Sequence, residues 1–188
     1  TGRRANQGFE GVGVTPDGTR LCALRQSATL QDSGAEQVSR NNTRLLVYDI
    51  SKSRTPAQPI AGYVLQLPVY NNQGSGAAPN ATAAQSELLA LNDTQFLVLS
   101  RDANGLGLSN NPFVYKSVLL VDTAGATNIA GTPFETSYTP IATNGVLNSS
   151  LTPVAQTEVV NILNSTQLGK FGITANYLEP GAIRTGMT

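Results

Sequence analysis

Residues 9–25 read Phe9-Glu10-Gly11-Val12-Gly13-Val14-Thr15-Pro16-Asp17-Gly18-Thr19-Arg20-Leu21-Cys22-Ala23-Leu24-Arg25. From Glu10 to Thr15 the apolar residues alternate around Val12 and Val14, the period of two that a half-buried strand requires. Thr15 to Thr19 is a turn, with Pro near its start to fix φ and Asp-Gly following. Arg20 to Arg25 then returns with Leu21 and Ala23 on one side, Cys22 and Leu24 on the other. The stretch predicts an antiparallel hairpin.

The same grammar continues outward. Residues 28–42 are polar, carry Asp32-Ser33-Gly34 and read as a loop. Thr43 to Ile50 and Ala61 to Leu67 read as strands, so four strands form a meander over residues 9–67. Residues 71–84 are Asn, Gly, Ala and Ser with one Pro and read as a mobile loop. A second set spans residues 86–162. Ser86 to Leu91 pairs with Thr94 to Arg101 across Asn92-Asp93, followed by Tyr115 to Asp122 and Val154 to Ile162. Thr123 to Ser150 is a polar excursion, and Asn164 to Lys170 reads as one helical turn. Each set runs strand, tight turn, strand, excursion, and a strand ending in Asp (Asp49 and Asp122). The expected fold class is all-β, with antiparallel four-stranded meanders as the blades of an incomplete β-propeller. A β-sandwich is the structural alternative.

Composition limits the chemistry. The chain has 188 residues, 12 Lys and Arg against 12 Asp and Glu, one Cys and no His. Without His it holds no Ser-His-Asp or Cys-His machinery and no HExxH zinc site. A lone Cys22 makes neither an internal disulfide nor a Cys-rich zinc site, and its place in an apolar strand pattern reads as a buried, inert thiol. Only 13% of residues are charged and the net charge is zero, so nothing supplies the footprint of a nucleic-acid binder. No apolar run approaches the roughly 18 residues of a membrane span. Five Asn-x-Ser/Thr triplets, at Asn41, Asn80, Asn92, Asn148 and Asn164, point to N-glycans and an extracellular setting.

The run from Asn6-Gln7-Gly8-Phe9-Glu10-Gly11 through Ala28 resembles the opening of the phytase-like domain family, also described as "esterase-like activity of phytase". Arg44-Leu-Leu-Val-Tyr-Asp49, Gly62 to Leu67, Ser86 to Leu91, Phe96 to Asp102, Lys116 to Asp122 and Leu151 to Val154 follow in that family's order. The resemblance covers about residues 5–173, taken here as a domain of residues 1–173. It implies a secreted β-propeller and, by the family's name, phosphoester or ester hydrolysis of a small phosphorylated or ester substrate. Family domains run to several blades, so another chain or a missing segment is expected to complete the propeller. The tail, residues 174–188, does not fit. With residues 172–173 it resembles a late segment of short-chain dehydrogenases, a remote alternative for which the correctly spaced glycines after a strand are missing. Neither nicotinamide nor flavin is expected.

In a chain with so few charges, those beside apolar strand residues are the candidates for chemistry. Glu10, Glu87 and Arg101 are expected as catalytic groups. Arg25, Arg44 and Lys116 are expected to bind the substrate, with Arg clamping phosphate oxygens in bidentate fashion. Glu10, Glu87 and Asp102 are expected to hold a metal, with calcium the ion suited to carboxylate oxygens. Metal-activated water is then the hydrolytic route in a chain without His. Each of these residues also fits a structural role. Glu10 can bond backbone amides, Arg101 and Asp102 can form an ion pair or a turn, and Asp49 and Asp122 suit turn caps. Arg3 and Arg4 read as a solvated terminus. The competing reading is a non-catalytic extracellular binding or structural glycoprotein on the same scaffold.

Overall fold

The computed structural model describes residues 2–74, 76–103 and 114–173. Its first sheet is a meander of β1 (Phe9–Val14), β2 (Arg20–Arg25), β3 (Asn42–Asp49) and β4 (Ala61–Gln66), antiparallel throughout in the order β1-β2-β3-β4. Two short strands, β5 (Val69–Tyr70) and β6 (Ala81–Thr82), pair as a small hairpin. The second large sheet holds β7 (Ala84–Ala90), β8 (Gln95–Arg101) and β9 (Lys116–Asp122). After the two-residue pair β10 (Ala142–Thr143) and β11 (Val146–Leu147) comes β12 (Ala155–Asn161), which completes that sheet in the order β12-β9-β8-β7. Helices are minor: a 3-10 turn at Gln37–Arg40, α1 (Pro133–Thr136) and α2 (Ser165–Gly169), the last capped by the Asn164 side chain.

All eight long strands fall where the alternation places them. Two parts of the chain differ from expectation. Residues 71–84 follow β5, include β6 and are tied down at their described residues. Asn72 and Asn80 exchange hydrogen bonds of 2.9 and 3.0 Å, and the Thr82 hydroxyl reaches the carbonyls of Gln37 and Val38. The excursion after β9 is not only polar, since it buries Ile129, Ile141, Ala142 and Leu151 with Val64 in a second apolar cluster. Among the described residues every strand pair is antiparallel, which overturns the dehydrogenase alternative. Tyr48 and Lys52 stand at the Tyr-x-x-x-Lys spacing of that family, but Tyr48 lies within the antiparallel strand β3. The tail at 174–188 lies outside the described residues.

The two large sheets stack face to face. Cys22, Leu24, Leu45, Val47 and Leu65 of the first sheet meet Leu88, Phe96, Val98, Leu119 and Val121 of the second in one buried cluster. The closest approach is between β1 and β7. A Cβ built on Gly11 would lie 2.9 Å from Leu88 Cβ and 3.2 Å from the Glu87 carbonyl carbon; one on Gly13 would lie 2.9 Å from Leu88 Cδ2. Strand alternation then assigns every side chain a face. The outer face of the first sheet is covered by the Ile129–Ile141 cluster, with Ile129 against Gly62. The outer face of the second sheet carries Leu97, Leu99, Val118 and Leu120, all half-buried, and Leu89, 57% exposed. No buried cluster of described residues forms there. Among the described residues the sheets form layers and do not close into a ring.

The hairpin turn is held by Asp17, whose carboxylate accepts from the Thr15 and Thr19 hydroxyls at 2.6 and 2.7 Å and from the Thr19 amide. Those bonds lower its pKa from 3.8 to about 2. Cys22 is fully buried, and burial pushes its thiol up to about 11.

Two outcomes follow. Gly11→Ala forces a methyl into β7 and is expected to cost about 1–3 kcal/mol in denaturant unfolding, whereas Gly8→Ala, with open space at its Cβ, is expected to stay within about 0.5 kcal/mol. Because the folded pKa of Asp17 is depressed, its stabilising share is present above its unfolded value and is lost as pH falls through about 2. Asp17→Asn is therefore expected to lower the melting temperature at pH 7 and to converge with the wild type near pH 2, read by thermal scans across pH.

Candidate functional site

The candidate residues gather at one end of the sheets, where β1, β3, β7 and β9 begin and β2, β8 and β12 end. Gln85 fixes this correspondence. Its amide donates to Gln26 O at 3.3 Å, and its side-chain nitrogen donates to Leu24 O at 2.7 Å. The start of β7 is thereby tied to the end of β2. At the opposite end, two open depressions of about 520 and 590 Å³ are lined by loop residues such as Lys52, Arg54, Asp17 and Asp93. Neither touches a residue expected to act in catalysis, substrate binding or metal binding.

A local pattern repeats between the sheets. Each innermost strand has a register shift near its start, between Phe9 and Gly11 in β1 and between Gln85 and Glu87 in β7. An exposed glutamate sits at each shift, Glu10 and Glu87. Each second strand ends in an arginine, Arg25 in β2 and Arg101 in β8. A β-bulge re-aims the side chains beside it, so the same device turns out a carboxylate in both sheets. Sequence reading singled out all four residues from their apolar surroundings. It had no means of seeing that they form a repeated pair, because a bulge is defined by the partner strand.

The faces differ. Phe9 lies opposite Arg25, whose guanidinium sits 5.4 Å from the Phe9 ring centroid on the outer side of the first sheet. Arg44 shares that face, since its neighbour Leu45 points into the core. Glu87, Arg101 and Lys116 share the outer side of the second sheet, because Leu88, Ser100 and Ser117 between them point inward. The structure therefore brings Glu87, Arg101 and Lys116 together and sets Arg25 and Arg44 across the two layers from them, with Glu10 exposed at the register shift of β1.

On the second sheet, Arg101 donates to the Ser86 hydroxyl at 2.6 Å and to Asp102 O at 3.0 Å. Asp102 is fully buried. It accepts from the amides of Val114 and Tyr115 at 2.7 and 2.9 Å and from Lys116 Nζ at 3.2 Å, so it closes the base of the excursion between β8 and β9. Tyr70 of the small hairpin stacks on Tyr115 at 5.9 Å and accepts from the Ala103 amide. Among the described residues Glu87 accepts only from the adjacent Leu88 amide. Among the described residues no three carboxylates group to hold a metal ion. The oxygens of Asp102 are occupied by donors, which does not fit a ligand role.

On the first sheet, Arg44 is buried and bidentate on Asp32, at 2.8 and 2.9 Å, and donates to Phe134 O at 2.6 Å. Asp32 also accepts from the Thr29 hydroxyl and the Ile141 amide. This pair pins the loop after β2 and the loop before β10 to β3. Its donors face protein atoms, a structural clamp rather than an open phosphate fork. Sequence reading passed over Asp32 because its partners Arg44 and Ile141 are 12 and 109 residues away. Around it stand Arg3, Arg4, Arg25 and Arg40, none within ion-pair distance of a carboxylate among the described residues. Burial, with repulsion from Arg40, lowers the pKa of Arg4; burial, with repulsion from Arg44 and Arg3, lowers that of Arg25. Arg4 is not a solvated terminus: it donates to Ser33 Oγ at 2.6 Å and to Gly34 O at 3.2 Å.

Asn80, Asn92, Asn148 and Asn164 are exposed in loops or at the start of α2, while Asn41 is half-buried beside the fully buried Thr43. Asp49 and Asp122 cap turns, through Ser51 and Ala124 respectively.

Removing Asp32 leaves a buried guanidinium without its counter-charge. Asp32→Ala is expected to cost about 3–5 kcal/mol in denaturant unfolding. Asp93→Ala, which breaks the half-exposed pair with Arg20, is expected to cost less than about 1 kcal/mol.

An uncharacterized secreted protein of Arthroderma benhamiae is 33% identical over 176 residues, which cover 91% of this chain and 34% of the relative. The chain thus spans about a third of the length of that curated relative. No solved structure matches the chain. The family model described as "Phytase-like: Esterase-like activity of phytase" matches residues 1–179, and the chain belongs to that phytase-like family.

Proposed function

We propose that the chain is two successive blades of an extracellular β-propeller that hydrolyses phosphate esters at the rim carrying the repeated Glu and Arg pairs. The observation that carries this reading is the repetition itself. Glu10 with Arg25 and Glu87 with Arg101 recur at the same end of consecutive meanders, each glutamate at a register shift and the two arginines on opposite outer faces. A ring of such blades brings a carboxylate and a guanidinium from each to one opening. The propeller reading is further supported by the strand order, since each sheet is a sequential meander and the first strands of the two sheets are neighbours. It is also supported by the half-buried leucines on the outer face of the second sheet, which suit the packing of a further blade. The secreted setting rests on the name of the fungal relative and on four exposed glycosylation triplets, which we propose carry N-glycans. No helix of the described residues is long and apolar enough to cross a membrane.

In this reading Glu87 acts as the base toward the attacking water. Arg101, held in place by Ser86, meets the phosphoryl oxygens, and the reaction needs no histidine. The described residues alone do not furnish calcium with a set of ligands. A non-catalytic binding role is the second reading. It is favoured by the fact that Arg101 and Lys116 already have acceptors within the chain.

Phosphate release from phytate and from p-nitrophenyl phosphate, with and without calcium, tests the proposal on the protein at its full natural length. Turnover is expected, and Glu87→Gln is expected to lower kcat by about 10²-fold or more. Absence of turnover in both conditions leaves the binding reading.

A further inference from the structure

The excursion between β9 and β12 holds one large aromatic side chain out in solvent. Tyr138 is 68% exposed, and its φ is 56°. The other non-glycine residues with positive φ among the described residues are Asn6 and Asn144, a residue type that tolerates this region. A tyrosine there is strained, because its Cβ crowds the backbone. The strain persists because the chain on either side is pinned. The amides of Ser137 and Thr139 both donate to Pro133 O, at 3.1 and 3.2 Å. α1 itself is fastened to the first sheet, since Arg44 of the Asp32 clamp donates to Phe134 O at 2.6 Å. The exposed ring gains little from packing, so the strain points to a use for the ring outside the fold.

Tyr138 lines an open cavity of about 440 Å³ together with Gly131, Glu135 and Thr136 from its own segment and Gln58 and Pro59 from the link between β3 and β4. The two walls are stitched to each other close by. The Ile129 amide donates to Gly62 O at 2.8 Å, and the Asn128 side-chain oxygen accepts from the Gly62 amide at 2.9 Å. The polar groups of the cavity are unspent. Glu135 uses one oxygen, Oε2, to accept from the Gly131 amide at 3.3 Å. Its Oε1, the Gln58 carboxamide and the Tyr138 hydroxyl have no partner among the described residues. No lining residue is cationic, and Glu135 has no ion-pair partner among the described residues.

We propose that Tyr138, Gln58 and Glu135 form a binding subsite for the pyranose ring of a neutral carbohydrate. One face of such a ring is a row of C–H groups, which rest on the electron-rich face of an aromatic side chain. Its edge carries hydroxyls that each donate and accept. The Gln58 carboxamide offers both a donor and an acceptor, and Glu135 Oε1 offers an acceptor. A purely apolar ligand would leave these groups unpaired, and a phosphate would meet the Glu135 carboxylate with no cation to offset it. The cavity lies just before the start of β4, at the end of the sheets away from the rim assigned to hydrolysis. Binding there is independent of that reaction.

Saturation-transfer NMR on the full-length protein tests the site. The probes are methyl glucoside, methyl galactoside, methyl mannoside and methyl N-acetylglucosaminide, with tetramethylammonium as the cation arm. At least one glycoside is expected to receive saturation, strongest at the C–H protons of one ring face. Tyr138→Gly removes the aromatic ring and relieves the positive φ, so it is expected to melt no lower than the wild type while weakening that glycoside about tenfold. Gln58→Ala, on an exposed link, is expected to weaken it as well without disturbing α1, and Arg54→Gln, outside the cavity, to leave it unchanged. No saturation of any of the four glycosides overturns the proposal. So does equal affinity in the wild type and both cavity variants. A response to tetramethylammonium that exceeds every glycoside and is lost in Tyr138→Gly replaces the sugar with a cation and overturns it too.

Discussion

The structure depends on how closely β1 can approach β7. Two sheets normally stack about 10 Å apart with side chains filling the gap. At this seam the first sheet contributes Gly11 and Gly13, so the backbone of β1 lies against Leu88 and the Glu87 carbonyl. That approach ties the first strands of the two meanders into one body and aligns their starts. It is the reason Glu10 and Glu87, far apart in sequence, stand at the same end. The apolar cluster behind it, from Cys22 and Leu24 to Phe96 and Val121, then locks the layers together.

Polar interactions settle the rest, and they do so at the same end. Asp32 and Asp102 perform similar tasks in the two halves. Each is fully buried, each takes amide hydrogens from a long excursion, and each neutralises one cation from a neighbouring strand. Buried carboxylates of this kind cost desolvation and return it only when every lone pair finds a donor. In a chain with only 13% charged residues, these two are positioned to order the loops around the rim.

The strands were legible because a period of two survives in the residues themselves, and hairpin turns carry their own chemistry in Pro16-Asp17-Gly18 and Asn92-Asp93. The candidate residues were legible as a type: charges flanked by apolar neighbours. Their grouping was not. Whether Glu10 and Glu87 share a face depends on bulges, and a bulge belongs to two strands. Arg25 and Arg44 looked alike in sequence, and only Asp32 separates them, turning Arg44 into a clamp and leaving Arg25 with vacant donors. The excursions misled for a related reason. Their Asn, Thr and Gly content conceals Ile129 and Ile141, which are buried against Val64 rather than against local neighbours.

If the glycine seam governs the fold, β1 and β7 belong to one cooperative unit even though 69 residues of sequence lie between Val14 and Ala84. Native-state hydrogen exchange followed by mass spectrometry tests this directly. Amides of residues 11–14 and 85–90 are predicted to open together, with the same dependence on denaturant. Loss of protection in β1 and β2 while β7, β8 and β9 remain closed would contradict the account.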